Sequence, residues 1–327
     1  RLPLIPFKYN SKEIPLIRNV KPLQDSLNQV LSDFQNNMEE DVRNTIFVLK
    51  NYDGDKPWFC HVSFGGPHEP WDVPEPYASM YKEEDMPAPR PVMKNANPDR
   101  PTGETDFRMH KPQIHCNTEQ AAEIRANYCG NCTLIDEMIG KIVDVIKARG
   151  EWDNTVVLFT SDHGEMNGDQ EFVNKRTFLD GALNIPLVIR TPETIGKGGI
   201  QTDALVSLID VGPTLVELCG GEIDYPQCGK SLCGVLDGRC EKPRDYVLSE
   251  LSGEIMYMDE DHKVFVNRNG EIYMLFDRKN DKEEQYNLAA SEEAAEIENE
   301  LRKKVMKAFA ENIIIPSTVV QTNTVNL

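Results

Sequence analysis

No apolar run in this chain approaches the ~20 residues that a bilayer-crossing helix needs, so no membrane-spanning segment is expected. Basic residues are scarce as well: 35 Lys and Arg stand against 54 Asp and Glu, a formal net charge of −19. That balance argues against nucleic acid and anionic membrane surfaces as partners. It also repels anionic substrates at long range, so an anionic substrate would need cations placed locally. A phosphate-cradling loop is lacking too. Gly229-Lys230-Ser231 ends like one, but Asp224 stands where its first glycine belongs, which excludes a nucleotide site of that type. Eight cysteines are too sparse for a disulfide scaffold. Cys129 and Cys132 form a C-x-x-C inside a helical pattern with no second pair nearby, and Cys228, Cys233 and Cys240 are close enough to permit one disulfide in an oxidising compartment. Arg1-Leu2-Pro3-Leu4 offers neither a starting Met nor an apolar leader, and the chain is expected to be a fragment.

What is present is a 39% hydrophobic chain, enough for a large core and a smaller second domain. Its centre of gravity is the stretch from Thr155 to Arg190. Thr155 to Phe159 is an unbroken apolar and β-branched run, Ile185 to Ile189 is another, and Ser161-Asp162-His163-Gly164-Glu165 opens the polar loop between them. Unbroken apolar runs are expected of parallel strands covered on both faces, whose carboxyl ends carry the chemistry of open α/β sheets. Asp162 and His163 sit at such an end. A carboxylate beside an imidazole suits a hard or borderline divalent cation, although an isolated D-H-G is more often a plain turn. Lys175 follows thirteen residues on, in a loop too long and too polar for a mere connection. A lysine there could hold an anionic oxygen beside the metal.

Elsewhere the pattern alternates between helix and strand. Apolar residues at helical spacing run from Pro22 to Leu49, and again from Thr118, a plausible N-cap, to a stop at Gly150. Trp58 to Phe64 reads as a strand with His61 in its core; it ends in Gly65-Gly66-Pro67-His68-Glu69-Pro70-Trp71, a stiff loop that presents His68 as a candidate general acid or anion ligand. Tyr77 to His115 reads as a polar surface excursion, with Arg90, Arg100 and Arg108 more simply solvated charges than specificity residues. Asp210 to Leu218 is a helix with Pro213 in its first turn. Beyond Gly238, short runs at Tyr246–Glu250, Ile255–Met258, Lys263–Val266 and Glu271–Phe276, with the turn Arg268-Asn269-Gly270, predict an antiparallel sheet, followed by a helix from Ser291 to Asn312.

Taken together, T-V-V-L-F-T-S-D-H-G-E, K-R-T-F-L-D-G-A-L-N-I-P-L-V-I-R, V-S-L-I-D-V-G-P-T-L and Y-M-L-F-D-R-K-N-D-K-E-E-Q-Y-N-L-A resemble the formylglycine-dependent sulfatases of the alkaline phosphatase superfamily. The resemblance covers most of the chain. It implies an α/β fold with a mostly parallel sheet flanked by helices, as in alkaline phosphatase, and a smaller C-terminal antiparallel sheet plus helix. Residues 1–240 would be the middle and C-terminal part of the catalytic domain, and 241–327 the C-terminal subdomain. It further implies Ca²⁺ or another divalent cation on Asp162 and His163, Lys175 and His68 gripping the oxygens of a sulfate ester, and a formylglycine nucleophile. The family's C/S-x-P/A-x-R motif, from which formylglycine is made, matches no cysteine or serine of the chain. The expectation is that it lies on a missing N-terminal segment with two further metal-binding aspartates, so that this chain alone is inactive. The substrate expected is a small-molecule or carbohydrate sulfate ester and the location extracytoplasmic, while no oligomeric state is implied. A phosphonate monoester or phosphodiester hydrolase, or a non-catalytic scaffold, is the alternative.

Overall fold

The computed structural model describes residues 38–54, 56–94, 105–106, 111–112, 114–192 and 199–312. In chain order these hold helix α1 (Met38–Asn51), strands β1 (Thr105–Asp106), β2 (Lys111–Pro112) and β3 (Ile114–His115), the long helix α2 (Thr118–Ala148), β4 (Val157–Thr160), β5 (Phe172–Val173), the single turn α3 (Asp180–Leu183) and β6 (Leu187–Arg190). Then come α4 (Val211–Leu218), the single turn α5 (Cys233–Leu236), β7 (Val247–Leu251), β8 (Glu254–Met258), β9 (His262–Val266), β10 (Ile272–Asp277) and α6 (Ala295–Asn312). No described helix is long and apolar enough to cross a membrane. The chain divides into two compact units, residues 1–86 with 123–153 and residues 87–122 with 154–327.

In the first unit, Leu134 and Met138 of α2 pack on Tyr77 and, with Val145 and Ile146 further along, on Ile46 and Leu49 of α1. The start of α2 is set one residue earlier than Thr118. Asn117 accepts the backbone N–H of Gln120 at 2.8 Å, and the Gln120 side chain accepts that of Asn117 at 3.0 Å, a reciprocal capping box. Gly150, at φ +72°, ends the helix with the Glu151 N–H returning to the Ile146 carbonyl, as a Schellman turn requires. The strand expected at Trp58–Phe64 is not in a ladder: its residues alternate between half-buried and exposed, but no described strand lies alongside. His61 falls on the exposed side of that alternation and is not a core residue. Of the first expected helix, residues 22–37 lie outside the described residues.

The second unit carries the four-stranded antiparallel sheet β10-β9-β8-β7. Both of its faces are covered. Met256, Phe265, Met274 and Phe276 point into one cluster with Met166, Phe172, Phe178, Leu179 and Ala182, while Tyr257, Val264, Ile272 and Leu275 point into another with Leu301, Val305 and Ala308 of α6. The strict alternation of faces breaks between Ile272 and Met274, where the β10–β9 register shifts. The turn at 267–271 forms as expected, with Gly270 at φ +78° and the Asn267 side chain accepting the N–H groups of Asn269 and Glu271. Ser291 caps a turn rather than α6 itself, which starts at Ala295.

The strand β4 differs from expectation. It pairs antiparallel with β6, Phe159 lies opposite Val188, and these two are 39% and 58% exposed. A parallel crossover is usually carried by a helix packed on the sheet, and between β4 and β6 the only α-helical piece is the single turn α3, beside β5 and a 3-10 turn, before the chain returns alongside itself. The parallel part of the expected sheet is not among the described pairings.

Candidate active site

The loop between β4 and β6 is closed at its base by contacts that only glycine permits. The Gly164 N–H donates to the Ala182 carbonyl at 2.8 Å. A Cβ on Gly164 would lie 2.1 Å from the Gly181 carbonyl oxygen, so the backbones meet with no room for a side chain. Above this neck the Met166 N–H donates to the Asn174 carbonyl at 3.0 Å, and the Glu165 carboxylate accepts the N–H groups of Asn174 and, at 3.3 Å, Asn167. These bonds fold 165–175 back on itself. Asp162, His163 and Lys175 are thereby carried on one loop framework, with Asp162 and His163 before the neck and Lys175 just past Asn174.

The pair Asp162 and His163 has a defined donor pattern. His163 Nδ1 lies 2.8 Å from the Gly164 carbonyl, which can only accept, so Nδ1 carries a proton and Nε2 is the nitrogen turned towards Asp162. Asp162 Oδ2 lies 3.6 Å from that Nε2, and its Oδ1 takes the His163 N–H at 3.0 Å. A carboxylate oxygen and an imidazole nitrogen at this distance are held together by a proton or a cation between them. An imidazole that donates its other N–H to a backbone carbonyl is also the usual state of a metal-ligating histidine. The donor set therefore fits a divalent cation, with two ligands. No group of three or more His, Cys, Asp or Glu side chains that could hold a metal occurs among the described residues. The Asp162 side chain is 85% exposed, as a ligand at a strand end can be.

His68 belongs to the other compact unit. Its Nδ1 lies 2.8 Å from the Glu69 carbonyl and 3.3 Å from Glu69 Oε2, so it too has Nδ1 protonated and Nε2 as its second nitrogen. Of the arginines in the polar excursion, Arg90 is an anchor: its N–H donates to Asp169 Oδ1 at 2.8 Å and its carbonyl accepts the Gln170 N–H. Arg100 and Arg108 lie outside the described residues. No disulfide joins any of the eight cysteines, Cys228, Cys233 and Cys240 included.

Lys263 and Glu284, which sequence reasoning left without a role, hold the Asp180 end of this loop, and Asn287 close by ties β10. Lys263, 2% exposed, donates from Nζ to Asp180 Oδ1 and to Glu284 Oε1, both at 2.6 Å. Glu284 Oε2 accepts the Asp180 N–H at 2.8 Å. Three residues on, the Asn287 carbonyl oxygen takes the N–H groups of Leu275 and Ala289 while its amide donates to the Tyr273 carbonyl. The signal was the E-x-x-N-L-A segment, where Asn287 directly precedes the apolar pair Leu288-Ala289, while nothing beside Glu284 in the sequence marks it as buried.

The family model described as Sulfatase matches residues 10–221. The chain is a member of the sulfatase family. A second model, described as N-sulphoglucosamine sulphohydrolase, C-terminal, matches residues 168–311. An arylsulfatase of Clostridium perfringens is 32% identical over 273 residues, covering 81% of this chain and 56% of its own. The multifunctional alkaline phosphatase superfamily protein PehA of Trinickia caryophylli is 34% identical over 227 residues, covering 64% of this chain and 43% of its own. Among solved structures, the phosphonate monoester hydrolase of Agrobacterium radiobacter superposes with a TM-score of 0.73 at 30% identity, covering 83% of this chain and 60% of that one. The chain thus spans about half the length of the curated relatives it matches. The fold is the α/β sulfatase-like fold, with the C-terminal four-stranded antiparallel sheet and helix.

Proposed function

We propose that this chain belongs to a sulfuric ester hydrolase acting on a small-molecule or carbohydrate sulfate ester, with Asp162 and His163 as cation ligands and Lys175 and His68 as contacts to the ester. The observation that carries this reading is the geometry of the pair, Asp162 Oδ2 facing His163 Nε2 at 3.6 Å with Nδ1 tied to a carbonyl. A bound divalent cation would supply positive charge against the non-bridging oxygens of the ester. In a chain of net charge −19 that charge must be supplied locally, and the Lys175 ammonium would hold a further ester oxygen beside it. His68, in its imidazolium form with Nδ1–H tied to the Glu69 carbonyl, would give its second proton from Nε2 to the leaving alcohol oxygen as the S–O bond breaks and be left as the neutral ring. The nucleophile, expected as formylglycine, is not among the residues of this chain, and on this reading the chain by itself does not turn over.

A second reading, hydrolysis of phosphonate monoesters at the same site, is favoured by the superposition on the Agrobacterium enzyme. Both esters offer a singly charged tetrahedral centre to a cation and a lysine, with three non-bridging oxygens on the sulfate and two on the phosphonate, whose fourth substituent is carbon. Rates on an aryl sulfate and an aryl phosphonate, measured side by side with the full-length protein, separate the two. Asp162→Ala is the test of the shared site. Because that side chain is 85% exposed, the variant is expected to fold normally while losing both divalent-ion binding by calorimetry and turnover of either ester. Undiminished turnover would overturn the assignment.

A further inference from the structure

The loop that carries Lys175 is strained. Asn167, Gln170, Glu171 and Asn174 have φ of 47°, 59°, 63° and 75°, so four residues other than glycine adopt left-handed backbone within eight positions. Each such residue costs on the order of 1 kcal/mol or more and persists only where its surroundings over-determine it. Part of that constraint comes from nearby chain, through Glu165 and through the Met93 N–H, which donates to Gln170 Oε1 at 2.6 Å. Arg90 and β3 hold it too, through the Gln170 N–H on the Arg90 carbonyl and the Cys116 N–H on the Glu171 carbonyl, and a further part comes from the segment that follows β10. Glu284 reaches both flanks of Lys175: its backbone carbonyl accepts from Gln170 Nε2 at 3.4 Å, five residues before the lysine, and its carboxylate accepts the Asp180 N–H at 2.8 Å, five residues after. Glu284 itself sits at φ 56° and is buried, and Lys263 holds its carboxylate together with that of Asp180.

We propose that Glu284, held by Lys263, is a positioning residue for Lys175, clamping both ends of the strained segment from Gln170 to Asp180. The proposal rests on the reading that Lys175 contacts the ester. An ion pair this deeply buried is weak support for stability in itself, since well-packed apolar residues of like volume often serve as well. What such residues cannot do is accept the Asp180 N–H. The clamp therefore has a consequence that the fold alone does not.

Glu284→Ala leaves the Lys263 ammonium buried beside Asp180 alone and is expected to fold poorly. The double substitution Lys263→Met with Glu284→Leu keeps the volume and removes both charges. In the full-length protein this pair is expected to unfold as cooperatively as wild type and to lower kcat/KM on the aryl ester roughly tenfold to a hundredfold, as a misplaced contact does. Placed on Lys175→Ala, the same pair should lower kcat/KM less than about threefold, because the residue it positions is already gone. Unchanged kcat/KM in the pair variant, or an equal loss with and without Lys175, would overturn the proposal. Amide hydrogen exchange decides it independently of the chemistry. Exchange should quicken across 165–184 while β8 to β10 stay protected, and unchanged exchange in that segment would overturn the clamp. If Lys175→Ala leaves kcat/KM untouched, the reading of Lys175 fails, and the exchange result still rules on Glu284.

Discussion

Two parts of the second unit, the β4–β6 pair and the four-stranded C-terminal sheet, use similar residues to opposite ends. In β8 to β10 most side chains are buried and none is exposed, and the Phe265 ring meets Phe178, Tyr273 and Phe276 at centroid distances of 5.4, 5.8 and 5.8 Å. In β4 and β6 no residue is fully buried, and the cross-strand pair Phe159 and Val188 is exposed. The loop beyond β4 holds its shape by backbone bonds, glycine approaches and left-handed residues, with its apolar side chains Met166, Phe172 and Phe178 reaching down into the cluster under the sheet. The stable sheet is thus the floor against which the strained loop is set. Rigidity supplied by one element lets its neighbour keep a conformation it could not hold alone.

The largest expected effect separates these two roles of an aromatic residue. Phe265→Ala removes a ring that is 1% exposed and should destabilise the protein by about 3–5 kcal/mol in urea unfolding. Phe159→Ala, at a position 39% exposed, should cost about 1 kcal/mol or less. Similar losses at the two positions would mean that the contrast between floor and site strands is not energetic.

That contrast also explains what could be read in advance. The C-terminal strands, α2, α4 and the turn at 267–271 follow from local patterns, because each is decided by residues within one or two turns of itself. The rule that an unbroken apolar run has two covered faces is sound, yet it describes β10, an antiparallel strand between α6 and the loop, better than β4. Apolar continuity favours burial without guaranteeing it, as the half-buried β4 and β6 show, and it carries no information on strand direction. At the site, D-H-G was legible because a carboxylate, an imidazole and a glycine are adjacent in sequence. Lys263, Asp180 and Glu284 were not, since they meet across separations of 83, 21 and 104 residues, and a buried lysine looks like any other in a strand.

The neck of the loop gives a mid-sized test. In Gly164→Ala the new Cβ would stand 2.1 Å from a backbone oxygen of Gly181, which cannot move without opening the closure onto Ala182. The expected cost is about 1–3 kcal/mol, with turnover falling further than stability because Asp162 and His163 directly precede the residue displaced. Gly140→Ala, inside α2 where nothing lies within 4 Å of the added methyl, should instead stabilise by about 0.5–1 kcal/mol. A Gly164→Ala protein of wild-type stability and turnover would show that the close approach is not needed for the site.

The smallest effect lies within the floor itself, where two buried carboxylates titrate in opposite directions. Burial pushes Glu254 above its ordinary 4.5, and the Tyr273 hydroxyl that donates to it at 2.6 Å does not offset this. Burial also works to raise Asp259, but the Lys304 ammonium at 2.7 Å and the N–H groups of His262 and Asp261 outweigh it and hold the carboxyl below 3.8. A raised folded value means that the native state binds the proton more tightly, so the Glu254 contribution to stability grows as pH falls through that value towards 4.5. A depressed value means the reverse: the Asp259 contribution is complete above 3.8 and is lost as pH falls through its folded value. Melting temperature followed against pH should therefore steepen at the acid end. Asp259→Asn should flatten that limb by on the order of a few degrees and leave the region above 4.5 unchanged, while Glu254→Gln should do the opposite. If Asp259→Asn left the acid limb as steep as before, the Lys304 contact would not be what sets the acid sensitivity of the sheet.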